Sequence, residues 1–137
     1  VQEFYHRKLR SMNVLVVGND PEGLLQAVKL IRRWGYHAEK SETGQETLAK
    51  VRDKVFDLVL LDLSMSETRP QALIAGLKEL QPEIGIVTMT ASNSKELENE
   101  IRTLGIIYYM SKPVDKEELK EILDHGSKKK RKKLINR

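Results

Sequence analysis

An α/β fold, with a parallel five-stranded sheet covered by helices on both faces, is predicted by three observations on this 137-residue chain. Short apolar runs alternate with amphipathic stretches, five of each. The strongest runs are near-continuous rather than alternating, as strands buried on both sides should be. Helix-start signals recur between them. Right-handed crossovers then lay the strands parallel, with helices on either side.

The first run, NVLVV at 13–17, leads into Gly18, Asn19 and Asp20. Asp20-Pro21 has the form of an N-cap followed by proline at the first helical position, and Leu24, Leu25, Val28 and Ile31 share one face until Gly35 stops the helix. A weaker run, YHAEK at 36–40, is the second strand. Thr43 and Glu46 stand at capping-box spacing before Leu48 and Val51. DLVLL at 57–61 is the third strand, and a helix over 70–81 follows it. GIVTM at 85–89 is the fourth strand, and Asn93 with Glu96 repeats the capping-box spacing before Leu97, Ile101 and Leu104. IIYYM at 106–110 is the fifth, and Asp115 with Glu118 opens a last helix bearing Leu119, Ile122 and Leu123. Gly126-Ser127 reads as its stop.

The length suits one domain with a real core. Absence of cysteine excludes disulfides, a catalytic thiolate and cysteine-ligated metal centres. No apolar run approaches the ~20 residues that span a bilayer, and VQEFYHRKLR lacks a signal-peptide core. The expectation is a soluble, cytoplasmic protein without a transmembrane segment. Residues 1–12 read as an N-terminal extension or linker, 13–126 as the domain and 127–137 as a basic tail or linker.

The net charge of +4 belongs to that tail, because seven of the 24 basic residues follow Gly126 with no acid among them. Without them 17 basic residues face 20 acidic ones, so charge does not support nucleic-acid binding by the whole domain. The run KKKRKK at 128–133 reads as a solvated tail or linker, helical only if a partner neutralises it; the alternative is a salt-sensitive contact to nucleic acid or an anionic membrane.

Ligands of open α/β sheets gather at the carboxyl ends of the strands. The runs deliver Gly18, Asn19 and Asp20 there from strand one, Asp62 from strand three, Thr90 from strand four, and Ser111, Lys112 and Pro113 from strand five. A buried carboxylate at such an edge needs a cation or donors, and Lys112 can supply the cation. A carboxylate nucleophile taking a phosphoryl group, with a lysine and a hydroxyl holding the phosphoryl oxygens, is the chemistry this trio suits. Asp62 alone would read as a loop acid capping a turn, and Thr90 alone as a strand residue.

Over about 13–125 the chain resembles the receiver domain of two-component response regulators. VLVVGNDP, DLVLLDLSMS, VTMTAS and YYMSKP carry the resemblance, and the separations of 28 residues from Asp62 to Thr90 and 22 from Thr90 to Lys112 fit the family. It implies the flavodoxin-like strand order 2-1-3-4-5, Asp62 as phosphoacceptor, Thr90 as switch hydroxyl, Tyr109 as aromatic rotamer switch, Lys112 as phosphate partner and a cis Lys112–Pro113 bond. It also implies a histidine kinase or phosphotransfer protein as donor, with self-catalysed transfer and slow autodephosphorylation. Output would run through a homodimer on the face of strand five and its flanking helices, an effector domain or a partner protein. Tyr109 has a second reading, an edge aromatic covering the last helix.

Two departures accompany the resemblance. Gly18 and Asn19 stand where receivers usually carry two acids that help bind Mg²⁺. The implied metal set, Asp62, Asn19, Asp20 and the Ser64 carbonyl, is therefore weakened, since Mg²⁺ prefers anionic oxygens. Asp20, before Pro21, suits an N-cap better than a ligand. Ser66 replaces the usual proline after the acceptor, which predicts a less well placed Ser64 carbonyl. These departures motivate the alternative of a phosphorylation-independent pseudo-receiver acting as a binding or dimerisation module. A nucleotide-binding doubly wound domain is disfavoured, because no glycine-rich phosphate loop follows the first strand. His6, His37 and His125 lack metal-ligand spacing, and Trp34 reads as a packing residue.

Overall fold

Five parallel strands, in the order 2-1-3-4-5, form the centre of the computed structural model, which describes residues 11–65, 69–92 and 94–135. In chain order the elements are β1 (Asn13–Val17), α1 (Pro21–Arg33), β2 (His37–Ser41), α2 (Gly44–Asp53), β3 (Leu58–Asp62), α3 (Pro70–Leu80), β4 (Gly85–Thr90), α4 (Lys95–Arg102), β5 (Tyr108–Ser111) and α5 (Lys116–Ile135). His6, Ser66, Asn93 and the segment 1–10 lie outside the described residues.

Strand side chains alternate between two faces, and each face has its own core. Leu15, Val17, Val59, Leu61 and Ile86 pack with α2, α3 and α4 through Val51, Ile74, Leu77 and Ile101. Val14, Val16, Leu58, Leu60 and Val87 pack with α1 and α5 through Val28, Ile31, Leu119 and Leu123. The strand runs are apolar at both parities because both faces are covered. Trp34 packs against the second cluster, as its packing role predicts.

The helix-start signals act in different ways. Thr43 Oγ1 accepts from the Glu46 amide at 3.0 Å, while the Glu46 carboxylate reaches back to the Glu42 amide, one residue earlier than a capping box places it. Asp115 Oδ1 accepts from the amides of Glu117 and Glu118. Asp20 holds the N-cap position of α1, but its side chain makes no capping hydrogen bond. α4 is capped by Ser94, whose hydroxyl accepts from Leu97, one residue beyond the predicted Asn93–Glu96 start. Gly35, at φ 96°, ends α1 in the left-handed region that suits glycine.

Strand boundaries shift by one or two residues. β3 runs from Leu58 to Asp62, one residue later than predicted, and the Asp57 carboxylate just before it accepts from the Asn13 amide at 2.8 Å. Pairing of β4 with β5 starts at Val87–Tyr108, so Ile106 and Ile107 belong to the turn after Gly105, and Ile107 is 55% exposed.

The largest departure is the C-terminal helix. Sequence places its end at Gly126-Ser127, yet α5 runs through the basic segment to Ile135. Gly126 lies against Met12, where an added Cβ would come within 3.4 Å of the sulfur, and Ser127 is only 7% exposed. Lys130 Nζ lies 3.1 Å from the Asp57 carboxylate and 3.1 Å from the Ser11 carbonyl oxygen, and Lys133 approaches Glu83 at 3.8 Å. The neutralisation expected from a partner is thus supplied partly by the domain. Met12, assigned by sequence to the extension, is a buried core residue.

Candidate functional site

Asp62 is the last residue of the central strand β3 and 4% exposed, on the face covered by α1 and α5. A carboxylate in that position must be held by donors. Oδ2 pairs with the Lys112 ammonium, and Oδ1 accepts from both the Ser64 amide at 2.9 Å and the Ser64 hydroxyl at 2.6 Å. Burial pushes the carboxyl pKa up, but the lysine and the two Ser64 donors outweigh burial and hold it below the ordinary aspartate value.

Lys112 arrives from the end of β5, where its amide donates to the Thr90 carbonyl oxygen at 2.8 Å and the Lys112–Pro113 bond is cis. Thr90 pairs with Ser111 across the β4–β5 ladder. Its hydroxyl is engaged within its own loop, donating to the Ser92 carbonyl oxygen at 3.2 Å and accepting from the Ser92 amide at 3.1 Å. The fold therefore joins Asp62, Lys112 and Ser64 directly and places Thr90 on the neighbouring strand end with its hydroxyl turned into a turn. The Tyr109 side chain lies inward, 7% exposed, its hydroxyl buried without a hydrogen-bond partner among the described residues and Arg102 5.7 Å from the ring centroid. Burial raises its pKa. Tyr108, its neighbour, is the exposed one of the pair.

Gly18 faces Asp62: a Cβ there would sit 3.4 Å from the Asp62 Cβ and 3.8 Å from Oδ2. Asn19 and Asp20 are exposed, and the Asp20 carboxylate leans over the first turn of α1, where a Cβ on Gly23 would meet it at 2.7 Å. From Asp62 a cleft of about 730 Å³ opens between α1 and the start of α5, its lining including Leu24, Lys116 and Leu119.

These residues do not fit a Mg²⁺ site. Mg²⁺ takes several hard oxygen ligands in near-octahedral array. Here the position beside Asp62 carries no side chain, both Asp62 oxygens are engaged, and the described residues include no group of three or more His, Cys, Asp or Glu side chains able to hold an ion. Sequence reasoning assigned Ser64 a role through its carbonyl; the hydroxyl contact it missed was signalled only by a hydroxyl residue two positions after Asp62.

Comparison with known proteins decides the family. The profile described as the response regulator receiver domain matches residues 14–124. The chain belongs to that family. Among curated relatives, the transcriptional regulatory protein ZraR of Salmonella typhimurium is 39% identical over 113 residues, which cover 82% of this chain and 26% of the relative. GlrR of Escherichia coli is 32% identical over 113 residues, 82% of this chain and 25% of the relative. The chain thus spans about a quarter of the length of these relatives. A CheY-like receiver domain from Methanospirillum hungatei, solved as a crystal structure, superposes with a TM-score of 0.80 at 25% identity, covering 89% of this chain and 98% of that one. The predicted receiver fold and its strand order are those observed. No described helix is long and apolar enough to cross a membrane.

Proposed function

We propose that this receiver domain accepts a phosphoryl group on Asp62 from a histidine kinase or phosphotransfer protein and thereby reshapes an interaction face around β5. The observation that carries the reading is the buried, ionised Asp62 at the end of β3 with the Lys112 ammonium on one oxygen. A carboxylate oxygen of Asp62 attacks phosphorus, the phosphorus–nitrogen bond of the donor phosphohistidine breaks, and its electron pair stays on the imidazole nitrogen. Water later attacks phosphorus, the bond to Asp62 oxygen breaks, and the carboxylate is restored. Lys112 transfers its contact to a phosphoryl oxygen, and Thr90 gives up its Ser92 contacts to donate to another.

Tyr109 supplies the readout. Its buried hydroxyl lacks a partner among the described residues, which costs about 1–3 kcal/mol and keeps the inward position responsive to changes at Thr90. Strand β5 with α4 and α5 is the proposed surface for a second copy, an effector domain or a partner protein. Proteins of the relatives' length would carry further domains beyond this one. Among the described residues, the basic end of α5 is the feature that favours a nucleic-acid contact, and two of its lysines face carboxylates of the domain.

A second reading, a receiver that works without phosphorylation, is favoured by Gly18 and Asn19, which remove two negative charges from the metal side of the site. The intact mass after incubation with a small acyl phosphate separates the two. A phosphoryl adduct on wild type that is lost in Asp62→Asn supports acceptance; no adduct under any condition supports the binding module.

A further inference from the structure

We propose that the acceptor site of this chain is closed to divalent metal, with the Ser64 hydroxyl and the Lys112 ammonium holding the two Asp62 oxygens that a cation would otherwise share. The inference deepens the reading of Asp62 as acceptor but stands on the geometry of its carboxylate. Three features converge on it. Oδ1 receives two donors from Ser64, the amide at 2.9 Å and the hydroxyl at 2.6 Å, and Oδ2 receives the ammonium. The backbone position that faces Oδ2 belongs to Gly18 and offers no ligand, although a Cβ there would make only ordinary contacts of 3.4 Å. Of the other side chains in the implied metal set, Asn19 is exposed and the Asp20 carboxylate lies over Gly23.

The physical logic is one of charge. A buried carboxylate flanked by further carboxylates needs a cation of high charge; one flanked by none is satisfied by a single ammonium and two hydrogen bonds. Dehydrating Mg²⁺ for one already-bonded carboxylate gains little. Ser64 is thus a positioning residue, whose hydroxyl holds the carboxylate oxygen that the lysine does not.

Calorimetric titration with MgCl₂ alone, paired with melting curves, tests this, because a ligand of the native state must raise its stability. Wild type should show no saturable binding up to about 10 mM, a concentration corresponding to a standard binding energy of only about 3 kcal/mol. Gly18→Asp/Asn19→Asp should bind, with Asn19→Asp alone as the weaker variant should Gly18→Asp fail to fold. Adding Ser64→Ala to the double variant should tighten binding severalfold, whereas adding Ser64→Thr, which keeps a hydroxyl, should leave it as in the double variant. Saturable binding by wild type overturns the proposal. Equal affinities with alanine and threonine at position 64 overturn the role of Ser64, and folded variants with restored acids that still bind nothing overturn the charge argument. Adduct formation from an acyl phosphate, with MgCl₂ and with EDTA, is read separately: its absence from wild type and all variants under both conditions counts against Asp62 as acceptor and leaves the metal titration as decisive as before.

Discussion

Two aspartates flank the same central strand, each paired with a lysine, and they do different things. Asp57 precedes β3 at the N-terminal edge of the sheet, where its carboxylate accepts from the Asn13 amide and meets Lys130 at 3.1 Å. Asp62 closes β3 at the C-terminal edge and meets Lys112. The two lysine side chains are almost equally exposed, 32% and 33%, but the aspartate side chains are not: that of Asp57 is 20% exposed and that of Asp62 5%. The difference teaches that the pair itself is not the chemistry. Asp57 ties the start of one strand and the end of the last helix together at a wet edge. Asp62 sits beneath the converging loops and against a cleft, where its oxygens are held and its charge is kept.

The sharpest way to break this comparison is covalent. An acyl phosphate should label wild type and Asp57→Asn alike and should leave Asp62→Asn unlabelled, read as intact mass; labelling at Asp57 would erase the distinction. The next effect is in stability. Lys112→Met leaves Asp62 buried with only the Ser64 donors and should cost about 1–3 kcal/mol at neutral pH, measured by urea unfolding. The pH dependence gives this a sign. Because the folded-state pKa of Asp62 is depressed, its contribution is full above the ordinary aspartate value and is lost as pH falls through the lower folded value. The gap between wild type and Lys112→Met should therefore close as pH drops below the aspartate range, and a pH-independent gap would mean that Lys112 acts through packing alone. The smallest effect belongs to the opposite edge. Lys130→Met should cost no more than about 1 kcal/mol, as partly exposed pairs do. It should increase amide exchange in α5 beyond Ser127 while leaving acyl-phosphate labelling unchanged.

The fold was largely legible because its signals are local. Apolar runs broken by Asp20-Pro21, Thr43 and Asp115 are read within a few residues, and the structure moves their boundaries only slightly. The proximity of Asp62, Thr90 and Lys112 was legible from their places at strand ends, since parallel strands must bring those ends to one edge.

The sequence by itself determined the alternation of elements, the identities of Asp62, Thr90 and Lys112, and the missing acids at Gly18 and Asn19. It did not determine that the Ser64 hydroxyl lies on Asp62, that the Thr90 hydroxyl is engaged with Ser92, or that the Tyr109 ring is the buried one of two adjacent tyrosines. Nor did it determine that α5 continues through Gly126 and six consecutive basic residues. In each case the outcome depends on a contact whose geometry is set by packing: a rotamer beside a buried carboxylate, the two faces of β5, or Met12, Asp57 and Glu83 waiting for a helix that local charge repulsion alone would unwind.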